Sequence, residues 1–209
     1  GYVDKFIGDA VMAICGAPVA DDDHAVHAVR AALEATRRVR AARLAAEARG
    51  DVGFATKIGI NSGVAVVGGG GTERRYNYTA VGETVNVASR LESVPPLYRC
   101  AVVVSERTAG LAQRDLVFCE LDLIRVKGRE APLAIFEPLA ERATGDVGDR
   151  ARVYEAALTD YRAMRFAEAA ARWSSLTDGA ATVMAERARS FAADPPAPPW
   201  DGVWNATSK

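Results

Sequence analysis

Residues 78–90 read YTAVGETVNVASR and mark a point where a strand passes into a helix. The β-prone run 76–81 predicts a strand ending at Gly82, and Glu83 opens a predicted helix. Asn86 and Arg90 stand four residues apart, which places them on one helix face. An amide and a guanidinium there can hold a ribose and a phosphoryl group, since the planar fork of Arg matches phosphate oxygens. The solvated stripe of an amphipathic helix explains the same spacing, and periodicity alone favours that simpler interpretation.

A second informative stretch lies upstream, where residues 5–13 read KFIGDAVMA. Two β-prone runs, 2–7 and 10–15, flank the pair Gly8-Asp9, which is a two-residue hairpin signal. The turn lifts the Asp9 carboxylate off the packed face, so that it can reach a metal ion. Gly-Asp is also ordinary turn chemistry, and taken alone the pair favours that explanation.

Two further stretches concern phosphate binding. The turn Val126-Lys127-Gly128 places a lysine beside a glycine, where it can approach a polyphosphate, although a surface lysine in a hairpin is commoner. The glycine run 68–71 lacks a following Lys-Ser or Lys-Thr, so it is not a Walker loop. It predicts a flexible hairpin connection instead.

Strands and helices alternate irregularly along the first 140 residues. The remaining pattern predicts a long helix over 24–49, a short helix near Arg107, and strands over 56–60, 101–104, 116–127 and 134–139. With at least two hairpins, this order favours an α+β fold, with helices on one face of a sheet, over a doubly wound parallel sheet.

Composition changes after Leu139, and it divides the chain into four parts. Residues 1–140 form the main domain, and the Gly-, Asp- and Arg-rich stretch 141–150 predicts a linker. Residues 151–193 are Ala-rich and resemble a tetratricopeptide-like helix pair, which must dock on something because one repeat cannot build a solenoid. Residues 194–209 form a Pro- and Trp-rich tail.

Overall composition excludes several classes of protein. The 209 residues carry a net charge of −1, so no basic excess points to nucleic acid. No uncharged apolar run approaches 18 residues, so the sequence contains no membrane segment. The three cysteines are scattered, without a C-x-x-C pair, and predict reduced core thiols of a cytoplasmic domain.

Taken together, these stretches resemble the catalytic domain of class III adenylate and guanylate cyclases. Residues 5–13 resemble the family's K-x-x-G-D-x-x-M-A segment, and 58–63 its I-G-I-x-x-G segment. Residues 82–90 are similar to its G-D-T-V-N-x-A-x-R helix, and 126–128 to its V-K-G turn. The resemblance implies a ferredoxin-like palm with a βαββαβ core. It also implies a homodimer with shared active sites and a cyclase that uses two Mg²⁺ or Mn²⁺ ions.

The resemblance also implies a role for each matching residue. Asp9 matches the second metal-binding aspartate, while Asn86 matches the ribose-orienting asparagine and Arg90 the arginine that stabilises the transition state. The remaining matches are the purine-reading residues Lys5 and Thr79 and the phosphate-binding Lys127. In the implied dimer, one protomer supplies the metal ligands and base-reading residues, and the other supplies the ribose- and phosphate-binding residues.

The pair at the purine-reading positions favours ATP over GTP. Lys5 can donate to the adenine ring, and the Thr79 hydroxyl can accept from the exocyclic amine. Vertebrate adenylate cyclases carry Asp where this chain has Thr79, many bacterial ones pair Lys with Thr, and guanylate cyclases place Glu and Cys there. The sequence is therefore expected to be an adenylate cyclase that forms cyclic AMP in intracellular signal transduction.

The resemblance implies that part of the parent protein lies upstream of Gly1. The family's first metal-binding aspartate lies on a strand with no counterpart here, so the fragment alone is expected to be inactive. The final residues look like the tails of bacterial cyclases tethered to membranes by an N-terminal sensor. A non-catalytic cyclase homologue that binds nucleotide or dimerises, and a guanylate cyclase, stay open as alternatives.

Overall fold

The computed structural model describes residues 1–72, 75–126, 130–141 and 145–205. Its strands are β1 (Tyr2–Ile7), β2 (Ala10–Ile14), β3 (Ile58–Ile60), β4 (Val66–Thr72), β5 (Arg75–Val81), β6 (Val102–Ser105), β7 (Val117–Arg125), β8 (Leu133–Ala140) and β9 (Trp204–Asn205). Its α-helices are α1 (His24–Glu47), α2 (Glu83–Glu92), α3 (Glu106–Ala112), α4 (Gly145–Arg162), α5 (Phe166–Ser174) and α6 (Gly179–Ala193). A 3-10 turn covers Pro95–Tyr98.

The centre of the molecule is a five-stranded mixed sheet in the order β3-β6-β8-β7-β9. Strand β3 is parallel to β6 and β7 is parallel to β9, while β8 is antiparallel to both of its neighbours. Strands β1–β2 and β4–β5 form two separate hairpins. This arrangement confirms the predicted α+β fold and shows that its central sheet is mixed.

Two apolar clusters hold the elements together. The smaller one packs α1 and α3 against β3 and β6, with Val29 and Val104 fully buried. The larger one runs from α2 through β7 into α4, α5 and α6, and its largest members include Tyr154, Tyr161 and Trp173. The C-terminal helices therefore share a core with the sheet.

The C-terminal region differs from the predicted linker and helix pair. Helix α4 begins at Gly145, within the stretch 141–150, and the described part of this region holds three α-helices, α4, α5 and α6, where two were expected. Within the tail, Trp204–Asn205 pairs with Ile124 and Arg125 at the edge of the sheet. A sequence rich in Gly and Asp can begin a helix when tertiary packing covers its apolar residues, and Tyr154 and Leu158 are covered in this way.

The glycine run was predicted to be a connection, and that prediction is wrong. Gly68 to Gly71 lie inside β4 and pair in register with Thr79 to Tyr76 of β5. Glycine weakens an isolated strand, but the backbone hydrogen bonds of a hairpin partner compensate. Among the described residues, none of the helices has the length and apolar character needed to span a bilayer.

Candidate active site

Helix α2 is held firmly at both ends of its buried face. Val87 and Leu91 are buried, and Gly59 of β3 lies against the backbone of Ala88 to Glu92, where no side chain would fit. Near its start, the Asn61 side chain donates to the Thr84 carbonyl at 2.9 Å. The helix therefore has a defined position, and the backbone of the residues on its outer face is fixed with it.

The outer face of α2 carries the two residues that are predicted to bind ribose and phosphate. Asn86 is exposed and Arg90 is half-buried, while Val87 between them points into the core. Within the described residues, no carboxylate lies within 4.0 Å of the Arg90 guanidinium. The guanidinium is thus available to an anion, although its role stays a prediction.

Asp9 occupies the tip of the β1–β2 hairpin, as the sequence predicted. Gly8 supplies the positive φ of 65° that the turn needs, and the Asp9 side chain is exposed. In the described part of the chain, no group of three His, Cys, Asp or Glu residues is placed to hold a metal ion. Asp9 therefore fits as one oxygen ligand of a divalent ion, and the described residues do not add a complete ligand set around it.

Lys5 and Thr79 are 74 residues apart in sequence and meet at one carboxylate. The Thr79 hydroxyl donates to Oδ2 of Asp4 at 2.6 Å, and the Lys5 ammonium lies 3.5 Å from the same oxygen. The Asp4 side chain is completely buried, whereas 41% of the Lys5 side chain is exposed. The two predicted base-reading residues therefore lie side by side, joined by Asp4.

Sequence reasoning missed Asp4, although a signal was present. It is an acidic residue inside the β-prone run YVDKFI, directly before Lys5. Charged residues are rarely buried without a partner, so an acid within such a run indicates a specific contact. Lys127, the predicted ligand of the terminal phosphates, lies outside the described residues.

An open cleft with a volume of about 410 Å³ lies beside the N-terminus of α2. Its lining comes from the loop after β3, the first turn of α2, the start of α3 and the start of β8, and it includes Asn61, Glu83, Arg107 and Leu133. Lys5, Asp9, Thr79, Asn86 and Arg90 do not line it. Within one chain, this cleft does not gather the predicted site residues.

This fold and these residues define a nucleotidyl cyclase catalytic domain. The comparisons with known proteins agree, since the family model "Adenylate and Guanylate cyclase catalytic domain" matches residues 2–136. The chain belongs to that family.

Named relatives include both kinds of cyclase. Adenylate cyclase 1 of Rhizobium meliloti (strain 1021) is 42% identical over 137 residues, which cover 66% of this chain and 21% of the relative. The crystal structure of the adenylyl cyclase CyaB from P. aeruginosa matches with a TM-score of 0.62 and 32% identity, covering 68% of this chain and 73% of that one.

A guanylate cyclase is also structurally similar. The guanylate cyclase domain of RhGC from Catenaria anguillulae, solved with GTP, matches with a TM-score of 0.55 and 29% identity over 68% of this chain and 73% of that chain. The chain spans about a fifth of the length of the Rhizobium meliloti relative. The likeness thus establishes the cyclase family without deciding between ATP and GTP.

Proposed function

We propose that this domain is an adenylate cyclase that converts ATP to 3′,5′-cyclic AMP and pyrophosphate. The ribose 3′-oxygen attacks the α-phosphorus in line, and the bond between that phosphorus and the bridging oxygen of the β-phosphate breaks. The 3′ hydroxyl proton leaves to solvent or to a base. This reaction requires recognition of the purine base, orientation of the ribose and stabilisation of the phosphoryl charge. The chain has candidate residues for each of these tasks.

The observation that supports ATP as substrate is the meeting of Lys5 and Thr79 at Asp4. A donor and a hydroxyl held side by side can address two neighbouring positions on one purine edge. Lys5 donates to a ring nitrogen of adenine, and the Thr79 oxygen accepts from the exocyclic amine. The similarity to named adenylate cyclases, at up to 42% identity among the relatives described, supports the same assignment.

Asn86 and Arg90 are proposed to act on the ribose and the α-phosphate. Asn86 hydrogen-bonds the ribose, so that the 3′-oxygen starts close to the phosphorus it attacks. Arg90 stabilises the charge that develops on the phosphoryl oxygens, mainly in the transition state. Their separation of one helical turn on α2 lets both reach one nucleotide.

Divalent metal ions complete the chemistry in this proposal. Asp9 is the residue of this chain that would hold one of the two proposed Mg²⁺ or Mn²⁺ ions, with further ligands from outside the described residues. Bound there, such ions neutralise the triphosphate and lower the pKa of the attacking hydroxyl.

A homodimer is proposed to bring Asp9 of one protomer to Asn86 and Arg90 of its partner. Exposed apolar pairs on both hairpins support an interface: Phe6 opposite Val11 in β1–β2, and Val66 opposite Val81 in β4–β5. All four side chains are more than half exposed. Apolar surface of this kind on a folded domain is typical of a protein–protein contact.

The test is turnover in the full-length protein that carries this domain. We expect cyclic AMP from ATP, with cyclic GMP from GTP formed far less efficiently. Arg90→Ala should lower kcat by about 10²–10³-fold or more while ATP still binds, because it removes a transition-state donor. The control Arg38→Ala changes an exposed α1 arginine that pairs with Glu34, and it should leave turnover unchanged.

Mixing two inactive variants separates the enzyme from a non-catalytic homologue and tests the shared site. If Asp9→Asn and Arg90→Ala proteins are each inactive, a mixed dimer contains one site with both residues intact. Recovered activity in the mixture supports the proposal. Inactive mixtures from proteins that still dimerise would refute the shared site, and an active Arg90→Ala protein would refute the assigned chemistry.

A further inference from the structure

We propose that Asp4 is a positioning residue that sets the substrate preference by forcing the Thr79 hydroxyl to act only as an acceptor. This inference rests on the proposed adenylate cyclase function and deepens it. Asp4 itself need not touch the nucleotide, because it acts through Thr79.

The backbone explains how Asp4 reaches this place. Neighbouring residues of a regular strand point to opposite faces, so Asp4 and Lys5 would normally be separated. The pairing of β1 with β2 shifts between Val3 and Lys5, which leaves Asp4 as the extra residue of a bulge. A bulge re-aims a side chain, and here the Asp4 carboxylate contacts both the Thr79 hydroxyl and the Lys5 ammonium.

The burial of Asp4 favours the hydrogen bond that Thr79 donates to it. The carboxylate side chain has no exposed surface, and its second oxygen, Oδ1, receives no hydrogen bond from any group in the described ranges. A buried acceptor left without a donor is costly, by about 1–3 kcal/mol. The Thr79 hydroxyl has one proton, and the 2.6 Å contact with Oδ2 uses it.

The direction of the Thr79 hydroxyl decides which purine base it can bind. When the hydroxyl proton of threonine is already donated in one hydrogen bond, its oxygen can only accept further hydrogen bonds through its lone pairs. Adenine offers a donor at its 6-position, the exocyclic amine, and guanine offers an acceptor, the 6-oxygen. Asp4 therefore makes Thr79 complementary to adenine and opposed to guanine, whereas an unrestrained hydroxyl could rotate and serve either base.

The first experiment uses the unaltered full-length protein and a matched pair of nucleotides. N6-methyl-ATP and the triphosphate of 6-methoxypurine riboside have nearly the same shape and the same ring acceptor beside Lys5. They differ at the 6-position, where one carries an N–H donor and the other an oxygen acceptor. We expect kcat/KM to favour the N6-methyl compound about tenfold or more. Equal kcat/KM values would overturn the inference, because the Thr79 hydroxyl would then be free to turn.

The second experiment removes the acceptor with little change of shape. In Asp4→Asn, the side-chain amide can donate to Thr79 and release its hydroxyl proton. We expect the ratio of kcat/KM for ATP to that for GTP to fall about ten- to a hundredfold, and the discrimination within the analogue pair to shrink. An unchanged ratio in a folded, active variant would overturn the inference.

A double-mutant cycle distinguishes positioning from general damage. In a Thr79→Val background there is no hydroxyl to orient, so Asp4→Asn should have little further effect on the ATP-to-GTP ratio. Additive effects on that ratio would show that Asp4 does not act through Thr79. If Asp4→Asn fails to fold, as judged by its thermal melting, the analogue pair on the unaltered protein decides.

Failure of the inference and failure of the proposed function look different. If the full-length protein forms no cyclic AMP, the proposed function is wrong. If it forms cyclic AMP but has equal kcat/KM for the two analogues, and Asp4→Asn leaves the ATP-to-GTP ratio unchanged, the proposed function is supported and the proposed role of Asp4 is wrong.

Discussion

A buried ion pair between Arg187 and Asp122 joins α6 to the sheet, and breaking it should destabilise the domain. Asp122 of β7 is fully buried, and Arg187 of α6 reaches it with only 9% of its side chain exposed. The Tyr98 hydroxyl donates to the same carboxylate at 2.6 Å, and the Leu123 amide donates to its other oxygen at 2.8 Å. The Arg187 guanidinium also stacks 3.9 Å from the centre of the Trp204 ring.

Arg187→Met keeps most of the side-chain volume and removes the charge. Breaking a buried pair by removing one partner typically costs about 3–5 kcal/mol, because the other charge stays buried without compensation. For a chain of this length, about 2–4 °C is lost per kcal/mol, so Tm should fall by about 6–20 °C. Losing the stacking on Trp204 adds to this cost.

The effect should also depend on pH in a definite direction. Burial raises the pKa of Asp122 above its ordinary value, and the Arg187 charge opposes that rise. Without Arg187 the folded-state pKa rises further, so the folded variant binds a proton that the unfolded chain has released. Its stability should therefore increase as pH falls from 8 towards 5, and the gap to the unaltered chain should narrow.

Urea unfolding of the chain, followed by circular dichroism and tryptophan fluorescence, measures these changes. Glu186→Gln is the matched control, because Glu186 also lies on α6 but pairs with Arg99 at the exposed surface. This substitution should change the free energy of unfolding by less than about 1 kcal/mol. Adding Asp122→Asn to Arg187→Met should recover part of the loss. If Arg187→Met costs no more than Glu186→Gln at pH 8, the ion pair does not hold the helices to the sheet.

Two further predictions concern packing and reactivity. Gly59→Ala would place a methyl group 2.7 Å from the Ala88 carbonyl oxygen and closer still to the next turn of α2, so it should lower stability by about 1–3 kcal/mol and turnover with it. In Gly110→Ala, nothing lies within 4 Å of the added group, so this variant should be neutral or slightly stabilising; equal losses in both would contradict the packing argument. Burial raises the pKa of the Cys119 thiol to about 12 and that of Cys100 as well, so an alkylating reagent at pH 8 should spare both until the chain unfolds. Mass spectrometry of labelled native and denatured protein measures this, and rapid native labelling of Cys119 would show that its site is open.

The local sequence determined the elements that carry the site. The Gly8-Asp9 turn and the helix opening at Glu83 appear where predicted, because turn chemistry and helical periodicity act over a few residues. The same local rules failed at Gly68 to Gly71, where pairing with a distant strand overrides the preference of glycine for connections. They also failed at Gly145, where helix α4 depends on packing against the sheet.

Only the tertiary structure decided which distant side chains meet. Thr79 and Asp4 are 75 residues apart and Arg187 and Asp122 are 65 apart, and no periodicity relates either pair. A buried carboxylate needs a donor or a counter-charge, but the sequence does not say which one it will find. Strand pairing brings Thr79 to Asp4, and helix packing brings Arg187 to Asp122. Because both carboxylates are buried, each depends on the partner that the tertiary structure places beside it.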